Sequence, residues 1–160
     1  MPLSQIKVKG YKSIRDLDLS LANLNVLIGA NGAGKSNFVS LFKMLNNIIE
    51  GNLQRYVMQE GGSESILYYG QRFTDNIQIY LKFNATDSYY NAYHCVLAPT
   101  IDDRLVFEDE TCFFHHYAND VYEKPYMEWL GTGHRESNLI DVSKYRKVSS
   151  HVYDSIKSWK

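Results

Sequence analysis

The stretch "LNVLIGANGAGKSNF", residues 24–38, decides how the rest of the sequence is interpreted. Its middle, from Gly29 to Ser36, has the spacing G-x-x-x-x-G-K-S. Glycines at such positions adopt backbone dihedrals closed to other residues and let successive N–H groups converge on phosphate oxygens. In this pattern Lys35 places a positive charge at the outer phosphates, and Ser36 offers a hydroxyl to a phosphate-bound magnesium ion. The stretch therefore predicts a phosphate-binding loop.

The residues on either side of the loop have the context that such a loop requires. The apolar run "LNVLIG" before it has no polar alternation, which predicts a strand covered on both faces. After the loop, apolar residues recur at three- and four-residue steps, which predicts an amphipathic helix ending near Gly51. They are Phe38, Leu41, Phe42, Leu45, Ile48 and Ile49. The amino end of this helix points at the loop and adds N–H donors and partial positive charge.

Alternating patterns predict further strands. Ile6 with Val8, and then Leu17 to Leu21, alternate with polar residues, which indicates two half-buried strands joined by a turn near "GYKSIRD". Residues 77–83 alternate as well, and "YYNAYHCVL", "DRLVFEDE" and "TCFFHHY" are strand-like runs joined by short connections, as in an antiparallel meander. We expect "KPYMEWLGTGHRESN" to form a loop and "SSHVYDSIKSWK" to form a helix behind a serine cap.

Composition and charge exclude several classes of protein. The 160 residues are 44% hydrophobic, enough for one buried core. Because 17 basic residues face 18 acidic ones, charge gives no support for nucleic-acid binding by this chain alone. No run reaches the roughly 18 apolar residues of a membrane span, and the first ten residues lack the apolar core of a signal peptide. With only Cys95 and Cys112, we expect free thiols and a cytoplasmic protein with no membrane partner.

Two classes of phosphate-loop protein fit poorly. A GTPase also carries D-x-x-G and N-K-x-D, and neither string occurs in the sequence. A small-molecule kinase is expected to alternate strands and helices around a parallel sheet. Here two alternating strands precede the loop and a meander follows its helix, and no acceptor-substrate motif is recognisable.

The amino-terminal residues "IKVKGYKSIRDLDLSLANLNVLIGANGAGKSNF" closely resemble the opening of the ABC-type ATPases of the SMC, RecF and OLD group, many of them described as AAA family ATPases. Tyr11, Lys12 and Ser13 match the aromatic, basic and serine positions of that opening, and residues 34–37 match its G-K-S-N. The resemblance is specific over the first fifth to third of the chain. Beyond that, only the order of elements is similar, with "QEGG" after the helix and then an antiparallel β subdomain.

The resemblance implies an α/β fold with α+β character. The implied fold is a P-loop NTPase lobe with amino-terminal strands, a P-loop strand and helix, and then an antiparallel β meander. Within the chain, residues 1–60 would hold the strands, the loop and the helix, residues 61–120 the β subdomain, and residues 121–160 a loop and the start of a helical region. The chain would then be one incomplete ABC-type ATPase domain, its amino-terminal half.

The resemblance also implies the ligands and the partners. ATP and Mg²⁺ would be bound in the loop, with Ser36 reaching the metal through ATP and with Lys12 or Ser13 near the nucleotide. The implied binding residues are Gly29, Ala30, Asn31, Gly32, Ala33, Gly34, Lys35, Ser36 and Asn37. Relatives imply a nucleotide-dependent homodimer, or a partner that supplies the missing half, and DNA association of the full-length protein. Hydrolysis is expected only in the full-length or assembled protein, in DNA maintenance or phage defence.

The residues that hydrolysis requires in this family are not found, so the catalytic residues stay unassigned. The nearest string to a Walker B strand is "RLVFEDE", but its short connections favour an ordinary antiparallel strand, and "SNLID", ending at Asp141, is weaker. No L-S-G-G-Q signature occurs, and Gly61 with Gly62 follows the helix too directly, so a loop is favoured there. A glutamine that senses the outer phosphate stays open among four residues. They are Gln54, Gln59, Gln71 and Gln78.

Two weaker patterns lie in the meander. His94 with Cys95, and His115 with His116, are neighbours on strands and face opposite sides, which disfavours a shared metal ion with Cys112. The many tyrosines are better explained by sheet packing than by stacking on nucleobases, because lysine and arginine are not interleaved with them. An alternative function is a non-catalytic module that binds ATP and presents this meander to a protein partner.

Overall fold

The computed structural model describes residues 1–86, 88–117 and 124–159, which form six strands and five helices. In chain order the elements are β1 Leu3–Tyr11, β2 Ile14–Ser20, α1 Lys35–Ile49, α2 Leu53–Gln59, α3 Ser63–Ile66, β3 Ile77–Thr86, β4 Tyr89–Pro99, β5 Leu105–His116, β6 Tyr126–Gly131, α4 Leu139–Val142 and α5 Lys147–Lys157. The mixed α/β character implied by the sequence is confirmed.

The six strands form one antiparallel sheet in the order β2-β1-β3-β4-β5-β6. β1 and β2 are a hairpin in which Tyr11 pairs with Ile14, so the predicted turn is confirmed. β3 joins the other edge of β1, and the chain then continues as a meander to β6. The two runs predicted as separate strands, "DRLVFEDE" and "TCFFHHY", form the single strand β5 with register shifts against both neighbours.

The core lies between the helices and one face of this sheet. Ile6 and Val8 of β1 are fully buried, and α1 runs to Ile49 as predicted, with Gly51 following at φ 68°. α5 packs on β4, β5 and α1. Burial of each large apolar side chain stabilises the fold by about 1.5–3 kcal/mol. The helix and strand side chains of this cluster include Leu41, Met44, Leu45, Ile48, Ile77, Ile79, Leu81, Phe83, Val152 and Ile156.

The run "LNVLIG" is not a strand in this chain. Residues 25–30 have no regular secondary structure, and Leu24, Val26 and Ile28 are 83%, 72% and 90% exposed. The hydrogen bonds of Asn25 are local, to the backbone of Ala22. The prediction of a strand covered on both faces is wrong here, because a continuous apolar run needs neighbouring strands and covering layers that the described residues do not supply.

β6 is a strand that the sequence pattern concealed. "KPYMEWLGTGHRESN" was expected to be a loop, but Tyr126–Gly131 pairs with β5. Its alternation is reversed, because Glu128 and Leu130 face the core while Met127 and Trp129 are exposed. A charged residue on the buried face breaks the pattern of apolar-in and polar-out by which such strands are recognised.

Glu128 also explains why the predicted serine cap of the last helix is wrong. α5 begins at Lys147 and has no side-chain cap of its own. The Glu128 carboxylate accepts instead from the N–H groups of Val148 at 3.4 Å and Ser149 at 2.8 Å, from a distance of 20 residues or more. The same device begins α2, where Glu136 accepts from two backbone N–H groups at 2.7 and 3.0 Å. Carboxylates at helix amino ends satisfy free donors and offset the dipole.

Candidate nucleotide-binding site

The loop from Gly29 to Ser36, called the phosphate loop below, enters α1 through left-handed backbone. Gly32 and Gly34 both have φ 86°, a conformation that strains residues with a Cβ. Gly34 is the cap residue of α1 and has no side chain to bond the first N–H groups, so these donors and the helix dipole are directed at the loop. Loop and first turn line a cavity of about 330 Å³. Its lining is Asn31, Gly32, Gly34, Lys35, Ser36 and Asn37.

The Lys35 ammonium folds back onto the loop. Nζ donates to the Gly29 carbonyl and, at 2.7 Å, to the Ala30 carbonyl. The Ala33 N–H also bonds to the Ala30 carbonyl, at 3.2 Å, and closes the turn. One positive charge is thereby held beside the free donors of α1. This combination suits a polyphosphate, which needs a cation and several N–H groups together.

The turn between β1 and β2 lies against the phosphate loop. Ser13 Oγ accepts from the Asn37 Nδ2 of α1 at 2.7 Å. A Cβ placed on Gly34 would lie 3.1 Å from the same Ser13 oxygen. The structure therefore brings Ser13, Asn37 and Gly34 together, although they come from two separate parts of the sequence.

Lys12 points into a second cavity, of about 550 Å³. Its Nζ lies 2.6 Å from Glu60 Oε2, and its own backbone is left-handed at φ 47°. Because Asn37 lines both cavities, the second adjoins the phosphate loop. Its lining is Lys12, Ser13, Asn37, Glu60, Ser65, Leu67, Tyr68 and Tyr69. No local sequence pattern points to Glu60 or Tyr69, and only a tertiary contact reveals them.

The acidic residues of "RLVFEDE" bond to other residues and not to the phosphate loop. Glu110 is fully buried and accepts hydrogen bonds from Tyr93 at 2.7 Å, from the Asn138 N–H at 3.0 Å and from Ser137. β5 lies between β4 and β6 and is separated from β2 by three strands. This confirms the antiparallel meander. The neighbouring acids also have local partners. Asp109 contacts His94 and Trp129, Glu108 accepts from Asn76, and Asp141 pairs with Lys144.

Three of the four candidate glutamines have structural partners away from the loop. Gln54 Nε2 donates to the carbonyls of Leu105 at 2.8 Å and Arg135 at 2.7 Å, which ties α2 to β5. The others are Gln71, which donates to Ser63 and Asp103, and Gln78, which donates to Asn76. Gln59 is exposed at the end of α2, directly before Glu60.

The histidine and cysteine residues of the meander are separated as the strand alternation predicted. Cys95 and Cys112 are buried free cysteines, and burial raises the pKa of each thiol far above its usual value. His94 instead faces the other side of β4 and bonds to Asp109. In the described part of the chain, no group of three or more histidine, cysteine or acidic residues is arranged to hold a metal ion.

The glycine-lined loop and the free amino end of α1 that follows it are typical of the P-loop nucleotide-binding class. A family model described as AAA ATPase domain matches residues 1–155. The chain therefore belongs to this family of ATP-binding ATPases.

A comparison with solved structures adds a further similarity. A solved structure from work on the ATP-driven dimerization and DNA-stimulated activation of SMC ATPases is 15% identical to this chain. The alignment covers 92% of this chain and 79% of the other, with a TM-score of 0.47. No curated protein matches the sequence. Among the described residues, none of the helices is both long and apolar enough to cross a membrane.

Proposed function

We propose that this chain is the ATP-binding lobe of an SMC/RecF/OLD-like ATPase and that the phosphate loop holds ATP. The observation that carries the proposal is the coincidence of the glycine loop, the Lys35 ammonium and the uncapped amino end of α1 in one cavity. The loop amides would bind the inner phosphate oxygens and Lys35 the outer ones.

Magnesium fits the same cavity. Ser36 follows Lys35 in the first turn of α1 and lines the cavity. Its hydroxyl is the kind of hard oxygen ligand that Mg²⁺ takes alongside nucleotide phosphates. The ion would offset phosphate charge, and Ser36 would fix its position relative to the loop.

The rest of the nucleotide would occupy the second cavity. This cavity adjoins the phosphate loop through Asn37, and Ser13 fixes the Asn37 amide from the β1–β2 turn. Tyr69 lines this cavity and is 74% exposed, so its ring offers a flat surface to a base. In this proposal Ser13 positions the first turn of α1. Lys12, paired with Glu60, lies beside the nucleotide in the second cavity.

Replacement of Lys35 tests the site. Lys35→Ala should weaken ATP binding by about 2–5 kcal/mol, because the phosphates lose their charged partner. Lys43→Ala is the matched control, since Lys43 is exposed on the same helix and lies outside both cavities. Calorimetric titration with Mg·ATP measures both variants. Equal affinity of the Lys35 variant and the unmodified chain would sink the assignment.

The exposed apolar segment from Leu24 to Ile28 supports a partner surface. In the proposal it is covered by the remainder of an ATPase domain or by a second copy of the chain in a nucleotide-dependent dimer. Light scattering with and without Mg·ATP measures assembly. We expect Ile28→Lys to abolish any ATP-dependent association while ATP affinity stays within about twofold, since Ile28 lies outside the cavity lining.

A role in DNA maintenance or phage defence completes the proposal and rests on the resemblance of the opening residues. In this proposal the DNA contacts belong to the assembled protein, because the near-neutral charge of this chain gives no support for DNA binding by the chain alone. Stimulation of ATP turnover by duplex DNA in the assembly tests this role, and turnover that is insensitive to DNA at low salt would count against it.

One observation favours a second candidate, a non-catalytic module gated by ATP. Glu108, Asp109 and Glu110 all have hydrogen-bond partners away from the phosphate loop, which leaves the loop without a described acid from β5. Such a module would bind ATP and present the tyrosine-rich sheet to a protein. Steady ATP turnover by the purified chain that disappears in Lys35→Ala would exclude it.

A further inference from the structure

A cavity of about 520 Å³ lies between α5 and the end of the sheet where β4 begins and β5 ends. No residue of the phosphate loop lines it. Its lining is Met1, Tyr89, Asn91, Phe114, His116, Lys147, Val148 and His151. The volume is typical of sites that bury a small organic molecule.

One wall of this cavity is aromatic. Tyr89 pairs with His116 and Asn91 with Phe114 across β4 and β5, which places all four on the face toward α5. The rings of Tyr89 and Phe114 are 5.8 Å apart, and those of Tyr89 and His116 are parallel within 6° at 6.1 Å. Such a wall offers π faces to a planar ring.

The same wall contains a buried amide with an unused acceptor. Asn91 is 1% exposed, and within the described part of the chain its Nδ2 donates only to the Met1 sulfur, a weak acceptor, at 3.4 Å. Asn91 Oδ1 and His116 Nδ1 are both buried with no partner among the described residues. Buried polar atoms are bonded in the great majority of cases, so two exceptions at one cavity mark a place where water or a ligand would supply the missing partner. The broad χ2 torsion of asparagine allows the amide to turn toward it.

The opposite wall carries the Lys147 ammonium and the His151 imidazole. Lys147 and His151 are one turn apart on α5, so their side chains lie side by side along the cavity. The N–H groups at the start of α5 are already taken by Glu128. An anionic group would therefore be met by the Lys147 and His151 side chains and not by the helix end.

We propose that this cavity binds a small aromatic anion, a planar ring system that carries a phosphate or a carboxylate. The ring lies against Tyr89 and Phe114, a ring N–H or amine donates to Asn91 Oδ1, and the anionic group reaches Lys147 and His151. A nucleoside monophosphate and an aromatic carboxylic acid share this chemistry. The site is separate from the phosphate loop and does not depend on its function.

Calorimetry on the complete chain, in a Lys35→Ala background that removes the phosphate loop's charge, tests the proposal with four probes. The anions are adenosine 5′-monophosphate and indole-3-acetate, and adenosine and indole are their uncharged counterparts. We expect one anion to bind at least about fivefold more tightly than its counterpart, and the better anion identifies the source. Absence of binding by both anions at about 10 mM, or equal binding of charged and uncharged probes, overturns the proposal.

Variants on α5 locate the binding. Lys147→Gln should weaken the better anion at least about fivefold at low salt, while Lys157→Gln, exposed on the same helix and outside the cavity, should change it less than about twofold. Phe114→Leu tests the aromatic wall, with a thermal melt to show that the variant folds. If neither Lys147→Gln nor Phe114→Leu weakens binding, the anion binds elsewhere and the proposal is wrong.

Discussion

The sheet with its helices differs from the segment around the phosphate loop in the contacts that determine its structure. Within the sheet even a carboxylate, Glu110, is completely buried and bonded by four partners. In the loop segment, by contrast, Leu24, Val26 and Ile28 face solvent, and the loop is shaped by its own glycines and by Lys35 bonding to nearby carbonyls. Tertiary contacts thus determine the sheet, whereas local backbone geometry determines the loop.

This contrast implies that stability and nucleotide binding are separable in this chain. Changes in the sheet should alter the free energy of unfolding, and changes in the loop should alter affinity for the proposed ligand. Substitutions at single positions test whether the two properties are separate.

The largest effect is expected at Glu110. Glu110→Ala should lower the free energy of unfolding by about 3–5 kcal/mol, because Tyr93, His134 and Ser137 lose their shared partner in the interior. Glu108→Ala, exposed on the same strand, should change it by less than about 0.5 kcal/mol. Urea unfolding followed by circular dichroism measures both, and similar values for the two variants would contradict the division.

A matched pair of isoleucines makes the next comparison. Ile79 in β3 is fully buried and Ile28 is 90% exposed. Ile79→Ala should cost about 2–5 kcal/mol of unfolding free energy, whereas Ile28→Ala should stay within about 0.5 kcal/mol. The same urea experiment applies. A loss of more than about 1 kcal/mol at Ile28 would be too large for a surface substitution and would show that this segment is packed in solution.

At the loop, Gly34→Ala should lower ATP affinity and leave the free energy of unfolding unchanged. A Cβ at φ 86° costs about 1–2 kcal/mol and would lie 3.1 Å from Ser13 Oγ. The loop can relax this strain in the free chain but has to restore the left-handed geometry to bind phosphate. We therefore expect ATP affinity to fall about 5- to 30-fold, with the urea midpoint unchanged. Calorimetry and urea unfolding together decide. A lowered midpoint with normal affinity would reverse the proposed roles of the two regions.

The smallest effect is a pH dependence at Asp103. The hydrogen bond from the Ser63 hydroxyl, at 2.7 Å, and that from the Glu64 N–H hold the pKa of the Asp103 carboxyl below its usual range. The stabilisation is therefore present above the unfolded-state pKa of about 3.9 and is lost as the pH falls through the lower folded value. Asp103→Asn should flatten the fall of the urea midpoint between about pH 5 and pH 3. An unchanged slope would contradict this contribution.

Much of the fold follows from patterns that each strand or helix carries by itself. The alternation around Ile6 and Ile79 and the helical spacing from Phe38 to Ile49 gave β1, β3 and α1 correctly, because each of these elements buries one simple face. The left-handed positions of the loop were likewise anticipated from glycine alone, since backbone sterics act locally.

The predictions from sequence fail where the structure of a segment depends on residues far away in the chain. The apolar composition of "LNVLIG" predicts a strand covered on both faces. In this chain the described residues supply no covering layers, so the run is exposed and irregular. β6 was missed because Glu128 faces inward to begin α5. The contact of Ser13 with Asn37, and the aromatic cavity around Asn91, depend on strand order, which no local pattern contains.

The carboxylates that begin the helices have a consequence for the order of folding. Glu136 bonds to the first N–H groups of α2, 82 and 83 residues earlier in the chain. During synthesis on the ribosome, α2 therefore emerges long before the group that completes its first turn. Because such distant contacts form only after the intervening loop has closed, α2 should become protected from hydrogen exchange together with β5 and β6 and not together with α1.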